Sequence, residues 1–173
     1  GDLLEKIDAW EGGQAVKLAE WIMAKMAPRS VIDIGCASGL YLIPFLDAGV
    51  TVLGVDGAPM AGQKLPPEHY IRFDLRNPFQ SPQVFDVCLC LETAEHIESQ
   101  FTHTFMQSVA QSARIIVFSA AAPGQGGEGH YNLAPKWYWK ERFAACGFHL
   151  HPLDDEFQAL VTANPERFFH PWL

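Results

Sequence analysis

Hydrophobic positions change their period repeatedly between Val31 and Asp56, and each change marks an element. Val31-Ile32-Asp33-Ile34 is an apolar run too short for a helix and rich in β-branched residues, which predicts a buried strand. Gly35, Ala37 and Gly39 follow as three small residues at alternate positions. Leu40, Leu42, Ile43, Phe45 and Leu46 then form an apolar stripe at helical spacing, closed by Gly49. Val50–Val55 is a second strand-like run with Asp56 at its end. Strand, small-residue turn, helix, strand and acid in that order predict the first half of a nucleotide-binding α/β sheet.

Ahead of this stretch, Ala15, Leu18, Ala19, Ile22, Met23 and Met26 recur at helical spacing until Pro28. Gly12-Gly13 separates that helix from a short opening segment, Leu3–Trp10. Trp10 and Trp21 read equally well as packed on the sheet or as covering a ligand. After Asp56, Gly57-Ala58-Pro59 predicts a turn and then a poor helix ended by Pro66-Pro67. His69–Phe73 is a short third strand with Asp74 at its end, and Asn77-Pro78 and Ser81-Pro82 mark a surface loop. Phe85–Leu91 is nearly continuous in apolar residues, as a central parallel strand should be.

A helix over Phe101–Ala113, a fifth strand over Arg114–Ala120 and a glycine-rich loop over Pro123–His130 come next. Ala134–Cys146 predicts a helix with Trp137, Tyr138, Phe143 and Ala144 inward and Gly147 as its stop. Phe148–Pro152 predicts a sixth strand. Beyond Leu153 the pattern weakens: Phe157–Thr162 is a candidate strand, whereas Asn164–His170 looks more helical than extended. The alternation predicts one α/β domain over residues 1–173, with helices on both faces of the sheet and the last strand not evident.

The turn has a physical purpose. Residues without bulk let the backbone approach a ligand closely, and the first N–H groups of the helix then point at it. An acid at the end of the neighbouring strand can accept hydrogen bonds from both hydroxyls of a ribose. The dinucleotide fingerprint G-x-G-x-x-G would need glycine at Ala37 and a small residue at Leu40, so the turn is a different one. Asp33-Ile34-Gly35-Cys36-Ala37-Ser38-Gly39 resembles motif I of the class I S-adenosylmethionine (SAM) methyltransferases, D-x-G-x-G-x-G, with Ala37 in place of the central glycine. Val55-Asp56 is similar to the acidic end of that family's second strand.

The resemblance covers about Val31 to Pro152 and implies a Rossmann-like sheet that binds SAM and releases S-adenosylhomocysteine (SAH). It implies a cofactor site made of Asp33, Gly35, Cys36, Ala37, Gly39, Asp56, Gly57, Asp74, Leu91 and Glu92. Asp33 and Gly35 would lie near the methionine part, Asp56 on the ribose and Asp74 at the adenine amino group. Asp86, by the same resemblance, is structural.

Composition narrows the partners. Of 173 residues 49% are hydrophobic and 18% charged, which suits a soluble globular chain. A net charge of −8 argues against broad phosphate-backbone binding, so nucleic acid is not the expected partner. No apolar run is long enough to span a bilayer and no signal-peptide pattern opens the chain, which predicts a cytoplasmic protein. Cys36, Cys88, Cys90 and Cys146 lack C-x-x-C spacing and read as buried reduced thiols.

Candidate chemistry concentrates at Glu92-Thr93-Ala94-Glu95-His96, at the carboxyl end of a central strand, and at His130. Ligands bind at such strand ends in open α/β sheets. Methyl transfer from a sulfonium needs the acceptor held about 3 Å from the methyl, and such positioning supplies about 7–11 kcal/mol. A hydroxyl acceptor must also lose a proton, and histidine is the natural base near neutrality. His130 is therefore the expected base, with Glu95 and His96 beside it; a histidine that only ties down its glycine-rich loop is the alternative.

Glu92, Glu95, His96 and His130 also resemble the E-x-x-E-H…H metal set of the small-RNA 2′-O-methyltransferases, and E-x-x-E-H is similar to the ubiquinone-pathway O-methyltransferases. That resemblance implies a divalent ion on those four residues. Ile97 stands where the RNA enzymes carry a further histidine. The loop PGQGGEGHYN followed by Trp137-Tyr138-Trp139 is similar to small bacterial methyltransferases of glycan and secondary-metabolite chemistry, a lean toward a small-molecule or sugar hydroxyl. An O-methyltransferase on a small polar acceptor, a metal-using RNA-terminus methyltransferase and a non-catalytic SAM-binding protein all stay open. A reductase is disfavoured, because no Y-x-x-x-K pair exists.

Overall fold

Five short strands carry the structure, a computed structural model that describes residues 3–59 and 61–163. They are β1 (Ser30–Ile34), β2 (Thr51–Asp56), β3 (Tyr70–Arg72), β4 (Phe85–Cys90) and β5 (Ala113–Phe118). All pair in parallel in the order β3-β2-β1-β4-β5. The connections run outward from β1 to β3, then return to place β4 on the other side of β1. This reversal makes the carboxyl ends of β1 and β4 a switch point, where a crevice opens for ligands.

Alternate strand residues serve opposite faces, which is why the strands read as continuous apolar runs. Ile32, Ile34, Leu53, Val55, Cys88 and Cys90 face α3 (Thr102–Ser112) and α4 (Lys136–Ala145), packing with Phe105, Met106, Val109 and Trp139. Val31, Val52, Val87, Leu89 and Val117 face α1 (Leu3–Met26), α2 (Ile43–Asp47) and α5 (Asp154–Ala163), packing with Leu18, Ile22, Phe45 and Phe157. Each such side chain, fully buried, contributes about 1.5–3 kcal/mol. Helices thus lie on both faces, as the alternation predicts. Asp86 is a structural clamp: its Oδ2 accepts from the Arg29 and Ser30 N–H groups at 2.8 and 3.2 Å, and Arg114 approaches Oδ1 at 3.4 Å. The Arg29 N–H bond, ahead of the Ser30 bond and the two arginines, holds its carboxyl below the usual range. All four cysteines are free thiols, and Cys36, Cys88 and Cys90 are buried.

Several expectations are corrected. Helix α1 runs unbroken through Gly12-Gly13. Glycine costs a helix about 1 kcal/mol per residue, less than burying Leu18, Ala19 and Ile22 returns. No helix forms between Pro59 and Pro66 among the described residues; turns lead to a 3₁₀ turn at Pro67–His69. In α4 the buried residue is Trp139, while Trp137 is 61% exposed and Ala144 is exposed. The phase of that helix is set by Trp139 and Phe143, one turn apart and both against Phe118 of β5.

Phe148–Pro152 is not a strand, so β5 is an edge of the described sheet. Phe157–Thr162 belongs to helix α5. Asp154, Asp155 and Glu156 occupy its first turn, where the helix dipole favours negative charge, and Phe157 packs on Trp21 at 5.1 Å. That acidic start is a helix signal that outweighs the apolar run after it. Asn164–His170 lies outside the described residues, as does the side chain of Trp10.

Candidate active site

The turn after β1 is tied to β2 by backbone. The Gly35 and Cys36 N–H groups both donate to the Val55 carbonyl, at 2.8 and 3.3 Å, and Gly39 N–H closes the turn on Cys36 O at 2.7 Å. Asp56, at the end of β2, holds the other side. Its Oδ2 accepts from Ala37 N–H at 2.9 Å and its Oδ1 from Ala58 N–H at 2.8 Å. Ala37 has φ +44°, a left-handed conformation, so glycine at this motif position answers a backbone need as much as a need for room. Gly57 lies against the third strand's end: a Cβ there would sit 3.0 Å from Phe73 O and 3.4 Å from Asp74 Cα.

Gly35 admits no side chain, because its φ is +86° and a Cβ would overlap the Thr93 side chain. Gly35→Ala is expected to cost more than about 1 kcal/mol from backbone strain alone, lowering the thermal midpoint by roughly 2–4 °C. Thr93→Ala in the same chain should recover only part of the loss, since Thr93 Cβ alone would remain 2.7 Å away. Thermal unfolding of the two variants checks both statements.

Asp33 is buried just before the turn, 3% exposed. Burial first, and then the Asp56 charge, push its carboxyl from 3.8 up to about 8. Between those values the folded chain holds a proton that the unfolded chain has released. Its contribution to stability is therefore fully present below pH 3.8 and is lost as pH rises through about 8. Asp33→Asn keeps the shape without the titration, so its thermal midpoint at pH 9 should exceed wild type by about 2 °C or more. Equal midpoints at pH 5.5 and 9 in wild type would overturn this.

The second half of the site comes from β4 and the loop after β5. Glu92 has φ +50°, held there by its N–H, which donates to Ser119 O at 3.2 Å and to Ser119 Oγ at 3.1 Å. Strained backbone of this kind persists where surroundings over-determine it. A 3₁₀ turn at Ala94–His96 then sends Glu95 fully inward. The Glu95 carbonyl accepts from the Tyr131 and Asn132 N–H groups at 2.8 and 3.0 Å, and its Oε1 accepts from Ala121 N–H at 3.2 Å. Oε2 is buried without a hydrogen-bond partner. Burial pushes this carboxyl up to about 7 and the nearby Glu92 charge adds to it, against the lowering effect of the backbone N–H groups.

His96 Nδ1 lies 3.0 Å from Gly129 O, and a carbonyl only accepts, so Nδ1 donates this bond and Nε2 is the ring nitrogen not engaged by it. The His96 and His130 rings meet edge to face at 4.9 Å. Glu95, His96 and His130 can each offer a ligand atom, all within 4.8 Å of one another, and His130 Nδ1 is buried and unpartnered. The structure thus brings together three of the four residues of the expected metal set; Glu92 stands outside that cluster. Asp74 is at the rim, its carboxylate gripped by Arg76 Nε at 2.9 Å and Nη2 at 2.7 Å, which holds it below the usual range. Thr93, Ser119, Ala121 and Asn132 were not singled out by the sequence; the HYN triplet, with Asn132 Nδ2 donating to Thr102 Oγ1 at 2.9 Å, was the available signal.

A left-handed small-residue turn stapled by the acid of the neighbouring strand is the decisive geometry, and residues 14–155 match the family model described as a methyltransferase domain. The chain belongs to the methyltransferase-domain family. The chain is 29% identical over 102 residues to the mitochondrial ubiquinone biosynthesis O-methyltransferase of Schizosaccharomyces pombe, matching 51% of this chain and 37% of that protein. It therefore spans little more than a third of that curated relative. Among solved structures it is similar in fold to a SAM-dependent methyltransferase from Archaeoglobus fulgidus, at TM-score 0.61 and 18% identity, over 78% of this chain and 67% of that one. It is similar too to magnesium protoporphyrin IX methyltransferase from Synechocystis with bound SAH, at TM-score 0.65 and 17% identity, over 87% and 80%. Among the described residues, no helix is long and apolar enough to cross a membrane.

Proposed function

We propose that this methyltransferase is an O-methyltransferase acting on a small polar or sugar-like acceptor, with His130 as the base. The observation that carries the reading is the Glu95–His96–His130 cluster at the carboxyl ends of β4 and β5, one strand away from the motif I turn. In the reaction the acceptor oxygen attacks the methyl carbon, the carbon–sulfur bond breaks and its electron pair stays on sulfur, giving SAH. The acceptor proton passes to His130. Asp33, Gly35, Cys36, Ala37, Gly39, Asp56, Gly57, Asp74, Leu91 and Glu92 form the proposed cofactor side. Support for oxygen as the methylated atom comes from the curated relative, which is an O-methyltransferase by name. The test is SAH formation across a panel of hydroxylated sugars and phenols, with amines as the control; turnover of amines alone would sink it.

A second reading keeps the fold and adds a divalent ion, as in an RNA-terminus 2′-O-methyltransferase. One observation favours the ion: a buried carboxylate oxygen without a hydrogen-bond partner beside two imidazoles, a mixed oxygen and nitrogen donor set that suits Mn²⁺ or Fe²⁺ better than Mg²⁺. Glu95, His96 and His130 would hold it, with Gly129 O orienting His96. Such an ion would lower the pKa of a bound hydroxyl. The charge of −8 stands against RNA as the acceptor. Electron paramagnetic resonance of Mn²⁺ added to wild type and His130→Ala is expected to show bound ion in the first and a weaker site in the second; no bound Mn²⁺ in wild type removes this reading.

A further inference from the structure

Tyr131 follows the proposed base in sequence and stands apart from the other three tyrosines. The Tyr41 hydroxyl donates to Gln14 Oε1 at 3.3 Å, and that of Tyr70 to Asp56 O at 2.9 Å. The Tyr138 ring is covered by the Arg142 guanidinium at 3.7 Å and meets Trp139 at 4.9 Å. Tyr131 is 68% exposed, and among the described residues its hydroxyl has no hydrogen bond and its ring no ring partner. Its backbone is nevertheless fixed. The Tyr131 and Asn132 N–H groups both donate to the Glu95 carbonyl, and the Asn132 side chain is tied to Thr102. Side chains alternate along this stretch: Asn132 and Ala134 are buried, Tyr131 and Leu133 exposed.

A single exposed aromatic is ordinary on a protein surface. This one differs in where it stands. A Cβ on Gly129 would lie 3.2 Å from His96 Nδ1 and 3.9 Å from Tyr131 Cε2, so the exposed His96 ring and the Tyr131 ring border one gap that a bare glycine keeps open. His130 meets His96 edge to face at 4.9 Å. A tyrosine on a pinned backbone offers a broad flat face with only two torsions to restrain on binding. We propose that Tyr131 is an acceptor-binding residue: the hydroxyl-bearing ring of the acceptor stacks on it, which turns that hydroxyl toward His130. The assignment rests on the O-methyltransferase reading of the same site and narrows its acceptor to a cyclic one. A pyranose would stack through its C–H face and a phenol through its π face, whereas an acyclic polyol has no face to offer.

The probes are methyl glucopyranoside in one arm and phenol in the other, with glycerol as the acyclic control. Each is added to the SAH-loaded protein while tyrosine ring signals are followed by NMR, the Tyr131 signal being the one lost in Tyr131→Phe. That signal is expected to move saturably with a ring probe and not with glycerol, while those of Tyr41 and Tyr70 stay in place. The arm that saturates at the lower concentration names the kind of ring. For any acceptor turned over, Tyr131→Ala should raise KM by about five- to tenfold, with the effect in KM and not in kcat, and Tyr131→Phe should restore most of the loss. SAH affinity serves as the independent check that each variant is folded. A Tyr131 signal unmoved by both ring probes overturns the proposal, as does an equal response to glycerol or a wild-type KM in Tyr131→Ala. In the last case turnover continues and the O-methyltransferase reading stands. A saturable Tyr131 shift without turnover of any hydroxyl sinks that reading instead and leaves the ring site.

Discussion

Asp56→Ala should lower SAM affinity by about 100-fold or more, measured by calorimetric titration with SAM and with SAH. The carboxylate does two things at once. It accepts the Ala37 and Ala58 N–H groups, holding the turn in its left-handed path, and it stands where the ribose hydroxyls are expected. Hydrogen bonds to a charged group contribute about 1.5–3 kcal/mol each, so losing those to two ribose hydroxyls would cost about 3 kcal/mol or more of binding, while loss of the Ala37 and Ala58 bonds destabilises the turn itself. Asp56→Asn should fall between, since an amide keeps one acceptor oxygen and must turn a donor toward either Ala37 or Ala58. Loss of affinity with an unchanged thermal midpoint would assign the whole effect to the ligand; a lowered midpoint would assign part of it to the turn. Unchanged affinity in Asp56→Ala would remove Asp56 from the cofactor site.

His130→Ala should reduce kcat by about 10²–10⁴ while SAM affinity stays as in wild type. The base acts on the acceptor proton and not on the cofactor, so binding and turnover separate. The alternative role, tying down the glycine-rich loop, predicts a different signature. The loop is already anchored without the imidazole, by Ala121 and Asn132 on Glu95 and by Gly129 on His96. A structural histidine would therefore show a raised acceptor KM with kcat and its pH profile intact. Loss of the acidic limb of the kcat profile together with the fall in kcat identifies the base. A variant with wild-type kcat ends that assignment.

The two halves of the site differ in how far they could be read from residues alone. The first half is local. Asp33 through Asp56 is one strand–turn–helix–strand unit in which apolar period, glycine placement and the terminal acid all agree, and the turn geometry follows from small residues that tolerate positive φ. The second half is assembled across the sheet. Glu95 meets His130 only because β4 and β5 lie side by side in parallel, which carries the loop after β5 back over the turn after β4. Nothing in the spacing of Glu92, Glu95 and His96 shows that Glu95 points inward and that Glu92 stands apart from the three-residue cluster; a 3₁₀ turn and the hydrogen bonds to Ser119 decide that.

Helix phase at α4 and the helix in place of a strand at α5 escaped the pattern for a related reason. Aromatic runs such as Trp137-Tyr138-Trp139 offer several apolar faces, and only contact with Phe118 of β5 selects Trp139 as the buried one. By itself the sequence determined the parallel α/β order, the small-residue turn and the acid that staples it, because these depend on neighbours along the chain. Only the tertiary structure decided which ionisable groups converge and which stay buried and neutral, because burial and partnership depend on residues distant in sequence and brought close by packing.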